Sequence, residues 1–80
     1  MNIIVTGASR GVGFALMNQL AKAGHRVTGL SRTVPPELPI GCTHRVVDLT
    51  DKVQVRAVVR SLKREGGQLD GLVSNAGIAH

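Results

Sequence analysis

The eight residues Thr6-Gly7-Ala8-Ser9-Arg10-Gly11-Val12-Gly13 space three glycines as Gly-x-x-x-Gly-x-Gly. A β-prone apolar run precedes them and a helix-periodic segment follows. In that position the chemistry is anion binding. The first N–H groups of a helix lack intrahelical partners, and the helix dipole favours negative charge beside them. A pyrophosphate fits there if no Cβ blocks its approach. Gly7 permits the sharp turn out of the strand. Gly11 lets the backbone come close to phosphate, and Gly13 lets the helix pack close to the sheet. From the glycines alone, a purely structural turn fits equally well.

Two further features favour a dinucleotide. Ser31-Arg32 follows the second β-prone run, about 20 residues past the glycine loop, where such a fold meets the adenosine ribose. An acid there would bind the 2′-hydroxyl and repel a 2′-phosphate. Ser31 is neutral, and Arg32 offers a planar donor fork suited to phosphate. Arg10 adds a second positive charge, so NADP(H) is favoured over NAD(H). The other feature is a pair of strand ends. Asp48-Leu49 closes the third β-prone run and Asn75-Ala76-Gly77 follows the fourth, and ligands of open parallel sheets lie outside the carboxyl ends of strands. Asp48 can accept from an adenine amino group or cap the next helix locally, and both readings stand. Asn75 can hold neighbouring backbone groups, while Gly77 allows backbone to pass near a ribose.

These residues need elements to carry them. Asn2 to Val5 reads as a short buried strand. Val12, Leu16, Leu20 and Ala23 recur at helical spacing, with Ala15 and Met17 beside them, and Gly24 stands where a C-cap glycine belongs. Arg26 to Leu30 predicts a second strand. Ser31 to Thr43 contains Pro35, Pro36, Pro39 and Gly41 and reads as loop. Arg45 to Leu49 predicts a third strand built on Val46-Val47. Thr50 or Asp51 then caps a second helix. Val55, Val58, Val59 and Leu62 make its apolar stripe, opposite Arg56, Arg60, Lys63 and Arg64. Gly66-Gly67 ends that helix, and Leu69 to Ser74 predicts the fourth strand. Strands alternating with helices predict an α/β fold: four parallel strands in the order 3-2-1-4 with two main helices.

Composition narrows the class. The chain has 80 residues, 42% of them hydrophobic, with Phe14 the sole aromatic. One cysteine, Cys42, cannot form an internal disulfide. The histidines His25, His44 and His80 are scattered, without metal-ligand spacing. The opening apolar run is broken at Thr6-Gly7, too soon for a signal peptide or a membrane span, and predicts a cytoplasmic protein without a membrane partner. The net charge is +5. Its Arg and Lys residues are spread over every segment without interleaved aromatics, which favours a solvated basic surface over nucleic-acid binding.

Thr6 to Gly13, Asp48-Leu49 and Asn75-Ala76-Gly77, in this order and spacing, resemble the short-chain dehydrogenase/reductase family. The resemblance covers the whole chain as the N-terminal portion of a Rossmann fold, one partial domain over residues 1–80 truncated after the fourth strand. It implies that Gly7, Ala8, Ser9, Arg10, Gly11, Val12 and Gly13 bind the cofactor diphosphate, with Asp48-Leu49 beside the adenine. It also implies that Asn75-Ala76-Gly77 steadies the sheet beside the cofactor, and that Arg32 marks an NADP-preferring member. Thr-Gly-Ala-Ser-Arg-Gly is further similar to 3-oxoacyl-carrier-protein reductases and carbonyl reductases. The short, proline-rich second crossover departs from the family.

Family chemistry uses a Ser with Tyr-x-x-x-Lys, in which the Tyr is general acid/base. This sequence holds no Tyr, so no catalytic residue is assigned and the 80 residues alone are expected to be inactive. Three readings follow: the cofactor-binding part of an NADP(H)-dependent carbonyl/alcohol oxidoreductase, a non-enzymatic dinucleotide-binding or interaction module, or a nonfunctional truncated product. The resemblance implies a homo-oligomeric full-length protein. The unpaired outer edge of the fourth strand predicts self-association of the fragment.

Overall fold

The computed structural model describes residues 1–7 and 11–73. Its elements run β1 (Asn2–Thr6), α1 (Gly11–Lys22), β2 (Arg26–Ser31), β3 (Cys42–Val46), α2 (Lys52–Gly66) and β4 (Gly71–Val73). The four strands form one sheet in the order β3-β2-β1-β4. Every pairing is parallel. This is the expected Rossmann-type topology, with β1 and β2 at the centre.

Side-chain alternation along the strands gives the sheet two apolar faces. On one, Val5 and Val27 meet Met17 of α1, with Ile3, Leu20, Ala21, Cys42 and Val73 packed around them. On the other, Ile4, Leu30 and Val47 are covered by Val55, Val58, Val59 and Leu62 of α2, the stripe expected from the sequence. The two helices therefore cover opposite faces. Asp51 is the N-cap of α2, its carboxylate accepting from the Val53 and Gln54 N–H groups at 3.0 and 3.3 Å. Arg45 and Ser61 both bond Glu65, tying β3 to the end of that helix.

Three expectations need correction. The third strand is Cys42–Val46, not Arg45 to Leu49. It pairs from Val27↔Cys42 to Ser31↔Val46. Beyond Val46, only the Val47 N–H still reaches β2, at the Ser31 carbonyl, 3.0 Å away. Asp48 then turns the chain toward α2. An apolar-run search misses this strand because β3 is a sheet edge with no buried residue. The fourth strand is Gly71–Val73, shorter than Leu69 to Ser74. Leu69 packs under α2 instead, and Ser74 lies outside the described residues.

The third correction concerns the seam of α1. Its fully buried positions are Gly13 and Met17, continued by Leu20 and Ala21, whereas Val12 is 74% exposed. Gly13 meets the sheet as its spacing implied, and the helix is turned so that Val12 does not. At the other end Gly24 takes φ 94°. Its N–H donates to the Ala21 carbonyl at 3.0 Å and the His25 N–H to the Leu20 carbonyl at 3.1 Å, a Schellman cap.

The connection over residues 32–41 holds no helix, as its prolines require, yet it buries Pro35. Asn2 fastens the opposite end of the fold. Its side-chain NH2 donates to the Gly66 and Gln68 carbonyls at 3.0 and 2.9 Å. Its backbone N–H donates to Asp70 at 2.8 Å, which sets the approach of β4 to β1.

The turned seam predicts unequal costs. Met17→Ala should destabilise by about 2–5 kcal/mol, the range for truncating a buried methionine. Val12→Ala should fall within about 0.5 kcal/mol of neutral, as for an exposed site. Urea unfolding of the two variants measures both, and equal losses would place Val12 back in the seam.

Candidate functional site

The site begins where β1 and β2 end. Thr6 pairs with Leu30. The Gly7 N–H carries the ladder one step further, donating to the Leu30 carbonyl at 2.9 Å. Thr6 Oγ1 bonds the Val73 carbonyl at 3.4 Å, so the ends of β1, β2 and β4 lie level. Gly7 then leaves the strand with φ 68° and Gly11 enters α1 with φ 66°, left-handed values that favour glycine. A Cβ built on Gly11 finds nothing within 4 Å among the described residues. No acidic residue lies in the first turn of α1 to offset its partial positive charge. Gly13 is buried in the seam, the packing role expected of it. Val12 stands exposed beside it. Ala8, Ser9 and Arg10 lie outside the described residues, as do Asn75, Ala76 and Gly77.

The end of β2 holds the next pair. Arg32 is exposed. Its charge reaches Asp48, where it helps hold the carboxyl below its ordinary range. The larger causes are the bonds from Thr50: Asp48 Oδ1 accepts from the Thr50 hydroxyl at 2.7 Å and the Thr50 N–H at 3.0 Å. Asp48 thus shapes the turn into α2 and stands as a partly exposed anion that feels the charge of Arg32. Leu49 packs into the core beneath α2.

Ser31 is not an open hydroxyl. It is 5% exposed. Its Oγ–H donates to the Thr33 carbonyl at 2.8 Å. A hydroxyl has one proton, so the 2.6 Å contact with His44 Nε2 must be a bond that Ser31 accepts. His44 therefore carries its proton on Nε2. Its Nδ1 is buried with no hydrogen-bond partner among the described residues. Sequence reasoning passed over His44, because only the β2–β3 register sets it beside Ser31.

Other chemistry is thin. Among the described residues no cluster of His, Cys, Asp or Glu could hold a metal ion. No helix among them is long and apolar enough to cross a membrane. Cys42 Sγ lies 3.7 Å from the Met17 carbonyl and burial pushes its thiol pKa up, which makes it a poor nucleophile. A cavity of about 310 Å³ lies at the amino ends of the strands, lined by Asn2, Thr28, Arg45 and Leu62.

Comparison with known proteins places this geometry. Residues 1–80 match the family described as short chain dehydrogenase. A 3-ketodihydrosphingosine reductase of Bacteroides thetaiotaomicron is 40% identical over 95% of this chain and 28% of its own length. A 3-oxoacyl-[acyl-carrier-protein] reductase of Escherichia coli is 33% identical over 94% of this chain and 33% of its own length. Among solved structures, ligand-free Thermoplasma acidophilum aldohexose dehydrogenase superposes with a TM-score of 0.89 at 38% identity, covering 96% of this chain and 29% of that one. The chain thus spans about a third or less of the length of these relatives.

The buried Nδ1 makes His44 a marker of acid sensitivity. Burial holds its pKa below the ordinary histidine value. The folded state thus prefers neutral imidazole. That contribution is present above the unfolded-state pKa and is lost as pH falls through the folded value. NMR titration should give His44 a midpoint below that of an unstructured histidine, and acid unfolding should be less steep in His44→Gln.

Proposed function

The chain belongs to the short-chain dehydrogenase/reductase family, and from that premise we propose that it forms the cofactor-gripping part of an NADP(H)-dependent oxidoreductase. The carrying observation is the level alignment of two strand ends. Gly7 and Gly11 open the N-terminus of α1 at the end of β1, and Arg32 leaves the end of β2 beside it. In this reading the first N–H groups of α1 hold the diphosphate, together with the loop Ala8-Ser9-Arg10. Gly11 supplies the clearance and Val12 an apolar flank. Arg32, joined by Arg10, takes the 2′-phosphate. Ser31 contributes neutrality and shape rather than its hydroxyl, which is committed to Thr33 and His44. Asp48 receives the adenine amino group while Leu49 backs that pocket from the core. Asn75, Ala76 and Gly77 hold the sheet beside the cofactor.

The bound cofactor supplies hydride exchange between its nicotinamide and a carbonyl or alcohol. The acid/base residues of that exchange lie outside these 80 residues, which contain no Tyr. A Ser followed by Tyr-x-x-x-Lys encoded in frame beyond His80 supports this reading. A stop codon directly after His80 favours a non-enzymatic binding module or a nonfunctional product. The same reading makes the protein cytoplasmic and the full-length form homo-oligomeric. The outer edge of β4, where Leu72 is 60% exposed, is the expected point of self-association for these 80 residues on their own.

Two substitutions separate the parts of the grip. Arg32→Ala should weaken NADPH binding by about 10- to 100-fold, the effect of losing hydrogen bonds to a charged group, and leave NADH unchanged. Gly11→Ala should weaken both cofactors together, on the order of tenfold, through left-handed strain and the added methyl. Fluorescence titration with each dinucleotide reads both outcomes. Equal wild-type affinity for NADPH and NADH would remove the NADP(H) assignment.

A further inference from the structure

Arg32 is exposed on a turn, and an arginine on a loose turn gives little discrimination, because ordering it at the moment of binding costs entropy. The flanking residues address that cost. The Ser31 hydroxyl donates to the Thr33 carbonyl at 2.8 Å and so closes a short loop around Arg32. A serine hydroxyl is free to rotate among three staggered wells unless something else holds its oxygen. Here His44 does, by donating Nε2–H to the same oxygen at 2.6 Å. His44 lies on the adjacent strand, opposite Gly29 in the β2–β3 register. Glycine offers no side chain on that face, which leaves room for the imidazole to lean along the strand toward Ser31. Ser31 is 5% exposed, so water competes little for either bond.

We propose that His44 is a positioning residue for cofactor discrimination: through Ser31 it holds the turn that aims Arg32 at the 2′-phosphate of a dinucleotide. This rests on the NADP(H) reading above. His44 touches no cofactor; it acts by fixing the rotamer of Ser31 before the ligand arrives. An N–H donor at position 44 is the chemical requirement, and the imidazole ring is not.

The test is carried out on the protein as its gene encodes it, by NADPH and NADH titration together with amide hydrogen exchange. In His44→Leu, NADPH affinity should fall about five- to tenfold, the scale of one intramolecular hydrogen bond, while NADH affinity stays within about twofold on the same grounds. His44→Gln, which keeps an N–H donor, should restore most of the loss, and Ser31→Ala should reproduce it. Exchange at the Arg32 and Thr33 amides should quicken in His44→Leu. In the Arg32→Ala background, His44→Leu should cost nothing further, because the two act on one interaction.

An NADPH preference that disappears in Arg32→Ala but survives in His44→Leu would overturn the role of His44 and leave the Arg32 reading intact. Parallel loss of both cofactors in His44→Leu, without rescue by His44→Gln, would also overturn it, since a general folding defect behaves that way. A wild-type protein without NADPH preference would refute the Arg32 reading and His44's part in specificity with it. Amide exchange would then still decide whether His44 orders the turn.

Discussion

The hydrogen bond from the Gly7 N–H to the Leu30 carbonyl, 2.9 Å long, is the join on which the site depends. It carries the β1–β2 ladder one residue past Thr6, so the two strands finish at the same height. Everything proposed to touch a cofactor is placed by that levelling. The glycine loop departs from one strand end, Ser31-Arg32 from the other, and the side chains in between are buried in the core. Thr6 extends the same line to Val73 of β4. Val27 and Leu30 serve opposite faces of the sheet, so a slip of one residue in this parallel register would turn each out of its own cluster, and their packing holds the site in alignment.

Helix α1 shows how local structure is divided between fold and ligand. Its C-terminal carbonyls are satisfied within the chain by the Gly24 and His25 N–H groups. At its N-terminus no acidic residue lies in the first turn, and Gly11 takes a left-handed φ of 66°. Helix α2 is built the other way round, with Asp51 occupying its first N–H groups.

The sequence made the element order, the sheet order and the two-sided packing legible, because aliphatic runs and helical periodicity report burial directly. It was less informative wherever burial is one-sided. β3 carries Thr43, His44 and Arg45 in its middle, so a search for apolar runs settled on Val46-Val47 and placed the strand too late. The seam of α1 was read in part: Gly13 stood out by its spacing and Met17 lay beside the periodic set, but hydropathy also put forward Val12, which the helix leaves exposed. The glycine loop and Arg32 stood out by type and spacing. The pairing of Ser31 with His44 could not be read, because it follows from the register across β2 and β3 and from a side chain that Gly29 lacks.

The missing helix between β2 and β3 has a mechanical consequence. Pro35 is tucked in by the connecting segment, but Val46 remains 61% exposed and no residue of β3 is buried. The central strands are clamped from both faces, while β3 is held mainly by its ladder to β2 and a few polar ties. Local opening free energy should therefore descend across the sheet from β1 through β2 to β3. Ser31 and Arg32 sit on that slope, next to the strand expected to open most readily. A ligand bridging the glycine loop and Arg32 would span the firm and the yielding parts of the sheet and stiffen the yielding one.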